Sequence, residues 1–215
     1  MEKERVSQAG GVAGVRGLAG TSPLILASGS PRRAEILRAV GWAYEACPPD
    51  IDETLREGES PEDYVQRLAR EKAGVVAGTR LFGLVLGADT TVVVDGEILG
   101  KPADEEDARR MLRILSERWH EVLTGVALVR AETGHAVVGL ERTRVRFAAM
   151  TDEEIAWHVE TGDVLDKAGA YAVQGRAALF IHGIEGDYWN VVGLPVRLVY
   201  ELVRGFGDEE SGNVT

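Results

Sequence analysis

Leu24-Ile-Leu-Ala-Ser-Gly-Ser-Pro-Arg-Arg33 decides the fold. Four apolar residues meet a Ser28-Gly29-Ser30 turn, and Ser30 as N-cap with Pro31 at the first helical position predicts a helix that stops near Gly41. Ile36, Leu37 and Val40 recur at helical spacing. A short buried strand that runs straight into a helix is the opening move of an α/β protein.

The same alternation continues outward. Ser60-Pro61 opens a second helix carrying Tyr64, Val65, Leu68, Ala69 and Lys72 to Val76. Leu81 to Leu86 reads as a buried strand ending in Gly87-Ala88-Asp89. Asp95-Gly96, set between Thr91–Val94 and Glu97–Leu99, predicts a hairpin, because that dipeptide accepts the positive φ of a tight turn. An acid-first helix is predicted over Asp104–Arg118. Two antiparallel strands, Glu121–Arg130 and His135–Phe147, are joined around Thr133-Gly134, and Thr151 with Glu154 forms a capping box for a helix ending at Gly162. A glycine-rich stretch and a strand follow, and Pro195 starts a last helix reaching about Arg204. Strands interleaved with helices and hairpins predict an α/β fold with a mixed twisted sheet and flanking helices. Residues 1–23, with five glycines, read as a flexible N-terminal extension, residues 24–204 as the folded domain, and residues 205–215 as an acidic C-terminal tail.

Composition sets the outer limits. The 215 residues carry 24 Lys and Arg against 35 Asp and Glu, a net charge of −11, and are 45% hydrophobic, which suits one globular domain or two merged lobes. No apolar run approaches the ~20 residues of a membrane span, and Met1-Glu-Lys-Glu-Arg5 lacks the core of a signal peptide. Cys47 stands alone, so a disulfide framework and a cysteine zinc cluster are excluded and a cytoplasmic setting is expected. The acidic balance argues against duplex nucleic acid, whereas one phosphorylated metabolite needs only a local basic pocket.

Five constellations could carry chemistry. Ser28-Gly-Ser-Pro-Arg-Arg33 offers backbone N–H groups at a helix start and two guanidinium forks to an anion, although a plain helix start with two solvated arginines reads equally from the same residues. Asp89, following an apolar strand, is placed to hold a divalent cation or take a proton from water; the competing reading is a loop carboxylate. Lys72, Lys101 and Lys167 are point charges suited to phosphate, as well as ordinary surface groups. Gln174, in a glycine-rich stretch, has an amide able to read the edge of a base, while Tyr171, Tyr188 and Trp189 read as packing residues and Asn190 as a cap, a turn residue or a ligand. Asp50-Ile-Asp-Glu53 is an acidic cluster that could supply a metal ligand or simply be solvated. The histidines lack zinc-protease spacing, and neither a G-x-S-x-G elbow nor a P-loop occurs.

Taken together and in order, the motifs resemble those of the Maf family of nucleotide pyrophosphatases. The matching residues are Ala27–Arg33, Asp52-Glu53, Ala69–Ala73, Gly87–Thr90, Leu99–Pro102, Thr124–Val126, Asp166–Tyr171 with Val173–Gly175, and Gly186–Tyr188 with Asn190–Pro195. The resemblance spans about residues 24–204 and implies a fold like that of the inosine triphosphate pyrophosphatases, two lobes around a cleft. It implies hydrolysis of a nucleoside triphosphate to the monophosphate and pyrophosphate with Mg²⁺ or Mn²⁺. Asp89 would be the proton acceptor or metal-bound base, Ser28, Arg33, Lys72 and Lys101 would bind phosphates, and Glu53 would help Asp89 hold the metal. Arg32, Thr90 and Gln174 are similar to the selectivity positions of the branch acting on dTTP and UTP, with house-cleaning of non-standard nucleotides as one expected role. Gln174 can accept from the single N–H of uracil or thymine and donate to a flanking carbonyl, whereas guanine's two adjacent donors suit a carboxylate better. Two alternatives stay open: a pyrophosphatase for modified nucleotides such as 7-methyl-GTP, and a nucleotide-binding regulator of cell division or septum formation. A homodimer is suggested by the resemblance alone.

Overall fold

The computed structural model describes residues 24–160, 162 and 164–211; the extension expected over residues 1–23 and the last residues, 212–215, lie outside them. Strand β1 (Leu24–Ala27) leads into helix α1 (Pro31–Ala39), followed by β2 (Tyr44–Ala46), α2 (Pro61–Ala77), β3 (Leu84–Val94) and β4 (Glu97–Leu99). Helix α3 (Glu105–Leu115), the long strands β5 (Trp119–Arg130) and β6 (Ala136–Phe147), α4 (Asp152–Val159), β7 (Ile181–Glu185), α5 (Tyr188–Val192) and α6 (Val196–Ser211) complete the chain. The seven strands form one mixed sheet in the order β2-β1-β3-β5-β6-β7, with β4 folded back on β3. β1 runs parallel to β2 and β3, and the remaining pairs are antiparallel. No described helix is long and apolar enough to cross a membrane.

Local chemistry explains most boundaries. The Ser60 side chain accepts from Asp63 N at the start of α2, and Thr151 and Glu154 close both halves of the capping box on α4. Asp95 and Gly96 take φ of 51° and 84°, the left-handed pair that a two-residue hairpin requires. Ser30 occupies the N-cap position of α1 without a side-chain capping bond. Instead the Ser28 hydroxyl accepts from Ser30 N at 3.1 Å.

Three expectations are corrected. β3 does not end at Asp89: it begins at Leu84, with Leu81 and Phe82 left 89% and 60% exposed, and carries Asp89 at its middle. The ladder with β5 continues through the Asp89–Gly125 pair, and it is the parallel neighbour β1 that stops, at the Ala27–Gly87 pair. Helix α3 ends at Leu115 instead of Arg118, because Ser116 turns to an extended ψ of 133° and Glu117 takes a φ of 58°. Helix α6 runs on from Arg204 to Ser211, anchored by buried Phe206, whose burial contributes about 2 kcal/mol. The three-residue β2 and the five-residue α5 were not expected.

The long strands tie two lobes together. β3 contributes Leu84, Leu86 and Ala88 to an apolar cluster with Leu24, Ile36 and Val199, and Val92 and Val94 to a second with Met111, Phe147 and Ile155. Residues 89–91 lie between these clusters. On the edge of β3 that faces β1 and β4, β1 ends at Gly87 and β4 begins at Val92, so residues 88–91 border a notch in the sheet.

Candidate active site

Two glycines bring α2 down onto the notch. A Cβ on Gly87 would stand 2.2 Å from Ala69 O, and one on Gly125 2.2 Å from Val65 O, so helix backbone rests directly on strand backbone. Gly125 is the cross-strand partner of Asp89 and shares its face of the sheet. The close approach sets Lys72 of α2 over Asp89, with Nζ 2.6 Å from Asp89 Oδ1. The same ammonium lies 2.7 Å from Glu53 Oε1, so one cation bridges two carboxylates from distant segments.

The neighbouring residue serves the opposite face. Thr90 Oγ1 is 2.9 Å from Thr124 Oγ1 and accepts from Arg33 Nη2 at 3.1 Å. Arg33 Nη1 donates to Ser28 Oγ at 3.1 Å, and Nε to the Gly193 carbonyl at 2.9 Å. Arg33 is therefore a buried tie between the β1–α1 turn, β3 and the loop after α5. Three of its five N–H donors are committed and two are left for an anion. Ser28 Oγ already accepts two bonds, which orients its own O–H outward as a donor.

Nine of the candidates — Ser28, Arg32, Arg33, Glu53, Lys72, Asp89, Thr90, Lys101 and Gln174 — line one cavity of about 460 Å³, whereas Asp50 and Asp52 are not among its lining residues. Lys101 and Gln174 are exposed on its rim, on opposite segments. The two segments are joined by Gly169 N, which donates to Gly100 O at 3.0 Å. Gly169 adopts a φ of 66° beneath Val92, where a Cβ would sit 3.0 Å from the valine side chain.

Two further residues line the wall: Lys167, already singled out as a candidate lysine, and Tyr64, which was not. Tyr64 lines the cavity and donates from its hydroxyl to the Glu53 carbonyl at 3.0 Å. Lys167 is buried in the wall with Nζ 2.6 Å from Asp166 Oδ1, and Arg32 Nη1 reaches Asp166 Oδ2 at 3.6 Å. Lys167 was among the lysines read from the sequence, whereas Tyr64 reads as one more apolar position of α2 and gave no signal. Asn190 proves structural, its amide donating to Val122 O and Thr143 Oγ1 from a fully buried position. Tyr171 packs as expected, but Tyr188 is 41% exposed.

Burial and charge divide the two carboxylates. Burial pushes the Asp89 carboxyl above its ordinary value, and the charges of Lys72 and Arg33 oppose that without cancelling it. For Glu53, burial acts upward too, but the hydrogen bond and charge of Lys72, helped by Lys101 and Arg33, leave it below its ordinary value. The same ammonium gives opposite net results because Asp89 is far more deeply buried than Glu53, whose side chain is 48% exposed. Burial also lowers Arg33, with the Asp89 charge acting against it.

Mixed sheet, cationic wall and buried carboxylate define an α/β protein with a cleft made for a polyanion. Residues 23–206 match the family model described as "Maf-like protein", and the chain belongs to that family. It is 53% identical over 184 residues to a Symbiobacterium thermophilum protein named dTTP/UTP pyrophosphatase, covering 86% of this chain and 94% of that relative. A Koribacter versatilis protein of the same name is 50% identical over 184 residues, with the same coverage. Among solved structures, the Staphylococcus aureus Ham1 protein superposes with a TM-score of 0.50 at 16% identity, over 86% of this chain and 99% of that one, a likeness of fold.

Proposed function

We propose that the protein is a nucleoside triphosphate pyrophosphatase acting on dTTP and UTP, and that residues 24–204 form its catalytic unit. The observation that carries the chemistry is the buried Asp89 carboxylate facing a cavity whose wall holds Lys72, Arg33 and Lys101. Relatives named dTTP/UTP pyrophosphatase at about half identity support the substrate class.

In this reading the triphosphate lies along Ser28, Arg33, Lys72 and Lys101. Asp89 accepts a proton from a water molecule as its oxygen attacks the α-phosphorus. The α–β anhydride bond breaks, its electron pair leaves on pyrophosphate, and the lysines and arginine offset the charge that develops there. A carboxyl raised by burial is a stronger base than an ordinary one, and its charged form is met by the Lys72 and Arg33 cations. Gln174 reads the pyrimidine edge, with Thr90 and Arg32, in the wall of the same cavity, adding to selectivity.

Mg²⁺ or Mn²⁺, when bound, supplies charge neutralisation across the phosphates, and Asp89 and Glu53 are the residues that would hold it. The donor set fits, because both carboxylates already face one point occupied by an ammonium. The described residues contain no cluster of three or more acidic, histidine or cysteine ligands. A cation held by two carboxylates and completed by phosphate and water oxygens is the habit of Mg²⁺. A cytoplasmic setting, a homodimer, and no nucleic-acid or membrane partner belong to the same proposal.

The test is a panel of dTTP, UTP, CTP, ATP and GTP with Mg²⁺ or Mn²⁺, with products resolved. Pyrophosphate from dTTP and UTP first is expected. Orthophosphate, or tight binding of dTTP without turnover, would replace hydrolysis at the α-phosphorus with a phosphatase or a nucleotide-binding regulator.

A further inference from the structure

Glu53 lies in a segment, residues 47–60, that has no helix or strand, yet its carboxylate meets Lys72 at 2.7 Å. What holds it there is one face of α2. Tyr64 Oη donates to the Glu53 carbonyl at 3.0 Å, and Arg67 Nη2 donates to the Thr54 carbonyl at 3.1 Å, so two consecutive carbonyls beside the carboxylate are gripped from the same helix. The grip is anchored further along the segment. Arg67 Nε and Nη2 engage Glu59 Oε1 and Oε2 at 2.5 and 2.8 Å, a two-pronged pair with side chains only 13% and 8% exposed. Glu71, one turn on, accepts from Arg67 Nη1 at 3.2 Å and from Arg56 Nη2 at 2.8 Å, pinning the segment from its other side. Within the segment, Asp52 Oδ1 accepts from both Thr54 N and Thr54 Oγ1, which fixes the turn between them.

Every nitrogen of the Arg67 guanidinium therefore works on protein. Residues 64, 67 and 71 recur at helical spacing, and Lys72 follows directly, so the helix that carries the bridging ammonium also carries the clamp. Resting on the reading that Glu53 and Asp89 hold a cation together, we propose that Arg67, with Tyr64, is a positioning residue that sets the Glu53 carboxylate against Lys72 and Asp89 and thereby sets the affinity of the site for divalent metal. Arg67 is not among the residues that line the cavity. Loss of the clamp loosens the segment between Cys47, whose N–H donates to Leu26 O, and Ser60, which caps α2, and the cation then has to order it on binding.

The test counts free Mn²⁺ by electron paramagnetic resonance in the presence of a dTTP analogue with a non-hydrolysable α–β bridge, using the full chain. Arg67→Ala is expected to weaken Mn²⁺ binding by about tenfold, the equivalent of roughly 1.4 kcal/mol. Tyr64→Phe, which removes a single hydroxyl and leaves the ring, is expected to weaken it by about threefold, so the outcome does not depend on the alanine variant folding. Arg67→Lys recovers part of the loss by keeping the charge without the fork. In a Glu53→Gln background the Arg67→Ala loss disappears, as required of two residues acting through one carboxylate. Native Mn²⁺ affinity in Arg67→Ala and Tyr64→Phe, or an equal loss with and without Glu53→Gln, would overturn the positioning role alone. Native affinity in Glu53→Gln by itself would overturn the metal reading, and the inference with it.

Discussion

Lys72 Nζ lies 2.6 Å from Asp89 Oδ1 and 2.7 Å from Glu53 Oε1, a single ammonium shared by a strand carboxylate and a loop carboxylate. Removing that ammonium takes away the first of the charges that restrain the upward push of burial on Asp89. In the proposed mechanism Asp89 works ionised, so turnover falls as pH drops through its titration, and burial places this acid limb above the ordinary carboxylate range. Lys72→Met is expected to move the acid limb of the pH profile of kcat/KM to still higher pH, besides weakening phosphate binding. An unmoved limb would show that the titrating base is another group.

The fit of α2 against the sheet gives a second expectation. A methyl group at Gly125 would meet Val65 O at 2.2 Å, and backbone cannot swing aside as a side chain can. Gly125→Ala should cost about 1–3 kcal/mol of stability, read as a lower urea midpoint. It should also depress kcat, since lifting α2 lifts Lys72 from Asp89. Gly96→Ala, at a turn with nothing within 4 Å of the added carbon, costs stability through its φ of 84° alone and should leave kcat unchanged.

Gln174 carries the base-selectivity claim. Gln174→Glu exchanges an amide donor for an acceptor at the cavity rim and should lower the ratio of kcat/KM for dTTP over GTP by about tenfold, the worth of one hydrogen bond exchanged for a repulsive contact. An unchanged ratio would remove the amide from base reading.

A fourth effect lies in the lobe behind the cavity wall. His120 is 2% exposed, pairs with the Tyr171 hydroxyl at 2.7 Å and packs edge-on against Phe147, and burial pulls it down from 6.5 to about 4. It stays neutral in the fold, whereas the unfolded chain takes up a proton at its ordinary value. Its contribution is thus complete above pH 6.5 and is lost as pH falls toward about 4, at a slope of up to about 1.4 kcal/mol per pH unit. His120→Gln should flatten the pH dependence of the urea midpoint in that window while lowering stability at neutral pH. Because Tyr171 begins the segment that ends in Gln174, the same variant should loosen base selectivity.

Much of this was legible in the residues. Capping chemistry at Ser60 and Thr151, the Pro31 helix start and the Asp95-Gly96 hairpin are local signals, and each appears where its chemistry requires. Asp89 was expected at a strand's end and lies instead in the middle of β3. Gly87, Ala88 and Asp89 look like a strand's end because glycine and aspartate are poor strand formers, and the long-range ladder with β5 keeps them extended past the end of β1. The two glycines that seat α2 are invisible as such in sequence, since their role depends on which helix lands on them. Arg67 passed unnoticed for a related cause: its partners Thr54 and Glu59 lie in a segment with no periodicity, and its value comes from what the fold brings beside it.

The most direct measurement is product formation from dTTP by the native protein and by Asp89→Asn, followed by ³¹P NMR and paired with dTTP-analogue binding and a melting curve. The native protein is expected to give pyrophosphate and the monophosphate. Asp89→Asn should cut the rate by about 10²–10⁴-fold, the typical contribution of a general base, with the fold intact. Turnover by Asp89→Asn near the native rate, or orthophosphate as the native product, would contradict the assignment of Asp89 as the base for attack on the α-phosphorus.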